Sequence, residues 1–511
     1  METLRFKQRN RYSVEIKARY RIDRSAGARN AYGLRLFFFF PRGFELAPAT
    51  YDRRGFLDQL RMFLRFDTPR FSLAELLDPD SEWSPLARLE AGAPVDAAED
   101  VDTSRLVHES KLLGCVYKSL LRDYVHTVRE SPDSTDRKEI DLIRQVATRF
   151  RRVRSAIVDQ GDATLVRHFD LIDEYLSLLV SRYCTLLLHE WGDAANHLAT
   201  QRSIAHVIET EEAYRRSRGF PTVPADMSSE RDLEEYVYQE KMLKRYATEA
   251  LFFEVSRTDT GRRTEHILYA VAAGVAMIVA TGIAFFGQQR FGSFTTSLFV
   301  LLVLGYMVKD RVKDLFRDLL TRSVGSFFTV RKSVIRDRKR RSRRIAAVHE
   351  RIGFRHRRRL PAQVQNARNR GAFERTLFAE DDEQVLEYSK TITLNARTIS
   401  ALHHRIDAVA DINVVDIRPF LRHLNTQYGI VPRALVPGEG SPQRIAPRVV
   451  QRVYHLTMIV EYDSPGGTIL QRYRLIVHGR GIKRIESVGD GGTVEHGTWA
   501  LVDEIGDLDE D

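Results

Sequence analysis

ILYAVAAGVAMIVATGIAFF at 267–286 and FGSFTTSLFVLLVLGYMV at 291–308, separated only by Gly287-Gln288-Gln289-Arg290, decide how the rest of the chain is read. The first run carries no charge over about twenty residues, which at a helical rise of 1.5 Å reach about 30 Å, the thickness of a bilayer's hydrocarbon core. The second, about eighteen residues, reaches about 27 Å and falls at the short end of the range for a span. A helix of a globular protein carries one apolar stripe and not an apolar circumference. The pair therefore predicts a two-helix transmembrane hairpin, 267–286 and 291–308. Within it Ala272, Ala276, Ala280 and Ala284 recur every four residues and form one ridge, a pattern that lets helices approach closely in lipid. Alanine as simple helix filler predicts the same letters.

Working outward, Arg257, Arg262 and Arg263 precede the hairpin and Lys309, Arg311, Lys313 and Arg317 follow it, whereas the hinge holds only Arg290. The positive-inside bias then places both flanking parts in the cytosol and the hinge outside, and an inner-membrane protein of a bacterium is the favoured setting. The first residues, METLRFKQRNRYSVEIKARY, are charged throughout, so the first span is expected to act as the membrane signal. Of the 511 residues, 79 are Lys or Arg and 69 are Asp or Glu, a formal charge of +10. The excess is local: about fourteen basic residues lie between Arg331 and Arg359 against Asp337 and Glu350, including RDRKRRSRR at 336–344 and RHRRR at 355–359. A basic juxtamembrane helical segment at 309–360 is expected. Arg338, Lys339, Arg340, Arg341, Arg343 and Arg344 are its candidate contacts to anionic lipid, or to nucleic-acid phosphates, each contributing about 1 kcal/mol at an anionic surface. A solvated basic helix that only enforces topology competes with both.

On the N-terminal side the reading is a small α+β domain at 1–78, a linker at 79–103 rich in Pro, Ala and acid, and a helical cytosolic domain at 104–257. Tyr12, Val14, Ile16, Ala18, Tyr20 and Ile22 alternate as in a strand, and YGLRLFFFF at 32–40 predicts a second strand, hairpinned to it or neighbouring it, buried on both faces. Spacing at Phe56, Leu57, Leu60, Phe63 and Leu64 predicts a helix over 52–64. On the C-terminal side an α/β domain at 361–502 precedes an acidic tail at 503–511. It contains a strand at 385–394, a helix near Pro419 within 412–424, and a hairpin, 454–462 with 470–477, turned by Asp463-Ser464-Pro465-Gly466-Gly467.

Catalytic signatures fail on spacing. His189-Glu190 with His197 does not make HExxH; VGDGGT at 488–493 lacks the lysine of a phosphate loop; His403 and His404 are adjacent and diverge. Cys115 and Cys184 sit in apolar helical patterns as reduced thiols. The expectation is a non-enzymatic, membrane-tethered scaffold, sensor or regulator without a cofactor, binding lipid and an unidentified protein, and able to form a homo-oligomer. The alternatives are an oligomeric effector or pore, and a membrane-anchored enzyme or nucleic-acid binder.

Overall fold

The computed structural model describes residues 4–24, 29–46, 51–93, 102–130, 137–159, 162–191, 198–223, 229–258, 261–292, 295–325, 329–337, 343–369, 383–401, 404–424, 428–435, 444–464 and 467–487. It is a mixed helix and sheet protein that divides into two units: 1–64 with 254–398 and 410–496, and 65–253 with 399–409 and 497–511.

The first unit is built on an eight-stranded sheet, ordered β14-β13-β12-β3-β8-β7-β6-β5. These are β3 (Arg29–Phe40), β5 (Glu254–Thr258), β6 (Thr329–Arg336), β7 (Arg344–Arg355), β8 (Gln384–Asn395), β12 (Tyr454–Ser464), β13 (Gly467–His478) and β14 (Gly481–Ser487). A four-stranded sheet, β1 (Leu4–Asn10), β2 (Ser13–Arg21), β9 (Ala408–Asp416) and β4 (Arg61–Phe66), faces it. The faces meet through Phe6 stacked on Tyr473 at 4.0 Å, Tyr20 on Tyr32 at 4.7 Å, and the Lys390 ammonium on Asp411 at 2.5 Å.

The four phenylalanines show why β3 is central. Phe37 and Phe39 pack with Leu360 and Val364 beside the short helix α11 (Ala362–Arg368), while Phe38 and Phe40 turn to the other face against Phe420. A strand buried on both faces has no polar alternation to show, as its sequence predicts.

Several expectations change in this unit. β2 and β3 are not a hairpin: β2 pairs with β1, and β3 pairs with β8 and β12, far along the chain. Alternation specifies a strand but not its partner. The helix expected over 52–64 stops as α1 (Arg53–Gln59), capped by the Asp52 carboxylate, and Arg61–Phe66 is strand β4. INVVD lies in β9 and only Arg418–Leu421 is helical, as its β-branched run favours. The basic stretch is not a helix beyond Gly325: it forms β6 and β7. Residues expected in separate N- and C-terminal domains thus share one sheet. The β12–β13 hairpin forms as expected, with Gly467 at φ 117 in its turn.

The second unit is a helical bundle made by α4 (Thr103–Glu130), α5 (Arg137–Asp159), α6 (Ala163–Trp191), α7 (Leu198–Arg218) and α8 (Glu230–Thr248). Two short helices, α2 (Leu73–Leu77) and α3 (Pro85–Ala91), precede them. α3 falls inside the expected linker. Ser84 caps it and Leu86 and Leu89 are buried in the bundle core.

Candidate functional site

The helical pair α9 (Gly261–Phe291) and α10 (Thr296–Gly325) is inserted between β5 and β6. Those strands pair antiparallel, with Thr258 opposite Lys332, so both helices are rooted at one end of one ribbon. Among the described residues one helix, Tyr269–Phe291, is long and apolar enough to cross a membrane, and only 17% of that window is buried. A core helix of a soluble protein passes the same composition test but is mostly buried. Here Val271, Met277, Ile278, Phe285 and Phe286 are exposed on α9, as are Phe299, Leu302, Val303 and Leu304 on α10.

The hinge differs from its sequence reading. Gly287 to Arg290 continue α9, and the reversal comes at Gly292, whose φ of 72 suits a residue without Cβ. Phe291 therefore belongs to the first helix. The uncharged part of α10, Thr296 to Val308, is about 20 Å long at 1.5 Å per residue, short of the roughly 30 Å hydrocarbon core.

Close packing joins the two helices through glycine. A Cβ built on Gly287 would lie 2.4 Å from Leu301 and 3.2 Å from Leu298, and one on Gly305 would lie 3.1 Å from Ile283. Ala272 and Ala276 are each 1% exposed, whereas Ala280 and Ala284 are half-buried. The alignment set by Gly305 beside Ile283 puts Ala276 and Ala272 level with the charged stretch of α10 after Val308. The Ala276→Leu, Ala280→Leu double variant is expected to keep both helices but lose about 1–3 kcal/mol through overpacking. A lowered melting temperature in detergent checks this; an unchanged one would make the alanines filler.

Strand register locates the basic segment. Along one row Arg355 faces Val385, Val385 faces Phe39, and Phe39 faces Thr457. That row lies toward the sheet end at which β6 begins, the end carrying the helical pair. Arg336 faces Arg344 at the opposite end; eight residues of β6 separate the two ends by about 26 Å. Arg338, Lys339, Arg340 and Arg341 lie outside the described residues. Arg343 is half-buried and Arg344 exposed. Exposed Arg29, Arg336 and Arg397 stand at that same far end. Partial burial, and then Lys332, Arg344 and Arg351 around it, lower the pKa of His349, so the neighbouring surface is electropositive. RHRRR divides from this cluster: it ends β7 at the end carrying the helical pair, with Arg358 and Arg359 exposed.

A polar network fills the sandwich between the sheets. Arg331 holds Glu350 at 2.6 and 2.7 Å and donates to the Leu57 carbonyl, and the Tyr388 hydroxyl donates to Glu350 at 2.8 Å. Lys390 bridges to Asp411 and donates to Asn413, whose amide donates to Asp411 at 2.9 Å. Lys390 is 1% exposed; Glu350, Asp411 and Asn413 are fully buried. Residues this far apart in the chain, each of an ordinary type, leave no pattern for sequence reading to detect.

His189 is exposed near the end of α6 and His404 lies beside Trp83; His197, His403, 488–493 and the acidic tail are outside the described residues. Both thiols are buried and pushed up to about 12 by burial, which makes them poor nucleophiles. Among the described residues no cluster of His, Cys, Asp and Glu is arranged to hold a metal. No family model, curated protein or solved structure matches the chain.

Proposed function

We propose that the chain is a membrane-tethered cytosolic scaffold or regulatory protein, anchored by the α9–α10 pair and presenting a folded sheet and helical bundle on one side of the bilayer. The observation that carries this reading is the exposed apolar surface of two helices rooted in one β-ribbon. Such a root puts both flanks on the same side, in agreement with the arginines and lysines on each flank. A two-span crossing requires Lys309, Arg311 and Lys313 to snorkel toward the headgroups, since α10 alone is short.

The test replaces 261–325 by a short Gly/Ser turn. The full chain is expected in the membrane pellet after alkaline wash, and the replaced chain in the supernatant with its sheet intact, because β5 and β6 remain paired. Release of the full chain by the wash would sink the anchor. A Gln288→Cys label applied with an impermeant reagent from the far side reports whether the tip crosses; labelling only from the cytosolic side would replace two spans by a re-entrant hairpin.

The far end of the sheet is read as the partner surface, where clustered arginines suit an anionic protein or polyanion better than lipid. Changing Arg338, Lys339, Arg340, Arg341, Arg343 and Arg344 to glutamine is expected to leave vesicle flotation of the full chain unchanged and to abolish its retention on heparin at physiological salt. Loss of flotation with heparin retention kept would return these residues to a lipid role.

A further inference from the structure

One more apolar surface is unaccounted for. Among the described residues, β10 (Tyr428–Leu435) and β11 (Arg444–Gln451) pair only with each other, forming a two-stranded arm. Tyr428, Ile430, Val431, Val449 and Val450 are exposed, Ile430 and Val449 by 69% and 66%. Isolated ribbons are marginal in water, and this one shows large apolar groups where a soluble ribbon carries charge. We propose that the arm lies in the headgroup layer of the bilayer that holds α9 and α10, as a second, monotopic contact that fixes the sheet's orientation. This rests on the membrane reading above.

Position supports it. The arm leads through Arg452 and Val453 into β12, whose Thr457 stands opposite Phe39, at the anchor end of the sheet. Register carries β12 past the root of the helices: the row of Thr329 runs through Ile352, Tyr388 and Leu36 to Val460, so β12 continues six residues beyond it on that side, to Tyr454, before the arm begins.

Composition supports it independently. Neither strand contains an acid; Arg433, Arg444 and Arg448 lie within them and Arg452 follows, so aliphatic, tyrosine and arginine residues combine as at an anionic membrane surface. A second copy adding a strand is disfavoured by Pro432 opposite Pro447, because each removes a donor from its edge.

The experiment uses the full chain in nanodiscs containing anionic lipid. An environment-sensitive fluorophore is placed at Ile430→Cys, Leu435→Cys or, as a control in α10, Val303→Cys; the native Cys115 and Cys184 are buried and remain unlabelled. Nitroxide lipids carry the quencher at headgroup depth or near the chain ends. The arm positions are expected to lose most of their fluorescence to the headgroup quencher, and position 303 to the chain-end quencher. Quenching at 303 alone overturns the arm while the anchor stands; no quenching anywhere overturns both. Arm labels that are shielded without quenching and that crosslink between copies assign the surface to a second chain.

Discussion

Lys390→Met is expected to destabilise the sheet unit by about 3–5 kcal/mol, because it removes one partner of a fully buried ion pair and strands the other. Asp411 would keep only the Asn413 amide, and its Oδ1 already lacks a hydrogen-bond partner among the described residues. Methionine approximates the lysine stem in volume, so the loss reports charge and not a cavity. Thermal melts in detergent check this. The Lys390→Met, Asp411→Leu double variant should regain most of the loss; equal melting temperatures for Lys390→Met and the parent would refute the network's role. Glu350 gives the same network a pH dependence in the parent. Burial raises its pKa, but the Arg331 contacts, Lys390 and Tyr388 outweigh that and hold it below the usual carboxylate value. Its contribution is therefore present above the unfolded pKa and is lost as pH falls through the lower folded one.

Arg151→Met is the corresponding expectation for the helical unit, with a loss of about 3–5 kcal/mol. Arg151 Nε meets Asp173 at 3.0 Å, its guanidinium also binds Glu211, and its plane lies 3.5 Å over the Tyr214 ring. Asp173 is fully buried and Glu211 is 4% exposed, so the variant takes from both carboxylates the cation that bonds them and leaves only the more distant field of Arg215. Tyr214, which donates to Asp173, is itself pushed up to about 12 by burial and by that bond, and so stays a neutral donor to that carboxylate. Circular dichroism melts of the full chain measure the loss. A variant that unfolds at the parent's temperature at pH 7 would show Arg151 to be a solvated surface charge, as its place off the apolar stripe of α5 suggests from sequence alone.

That contrast is general in this chain. Arg149, Arg151 and Arg154 fall outside the apolar stripe, yet Arg149 and Arg154 also cross to other elements, to Glu90 at 2.7 Å and to Asp170 at 2.6 Å. Helical periodicity reports which face avoids water, not which charges meet on assembly.

What the sequence determined by itself was local. The strands at 32–40 and 385–394, the 454–477 hairpin, the helical character of α4 to α8 and the apolar lengths of α9 and α10 were legible, because periodicity, turn chemistry and run length are properties of neighbouring residues. Tertiary structure alone decided that β3 lies between β8 and β12, that Arg336 and Arg344 stand at the far end of the sheet from the α9–α10 pair, and that Lys390 meets Asp411. Backbone hydrogen bonding is the same for every strand pair, so a strand's sequence cannot name its neighbour. Register follows only when two sheets bury their faces together, and with it the end of the sheet at which each charge emerges.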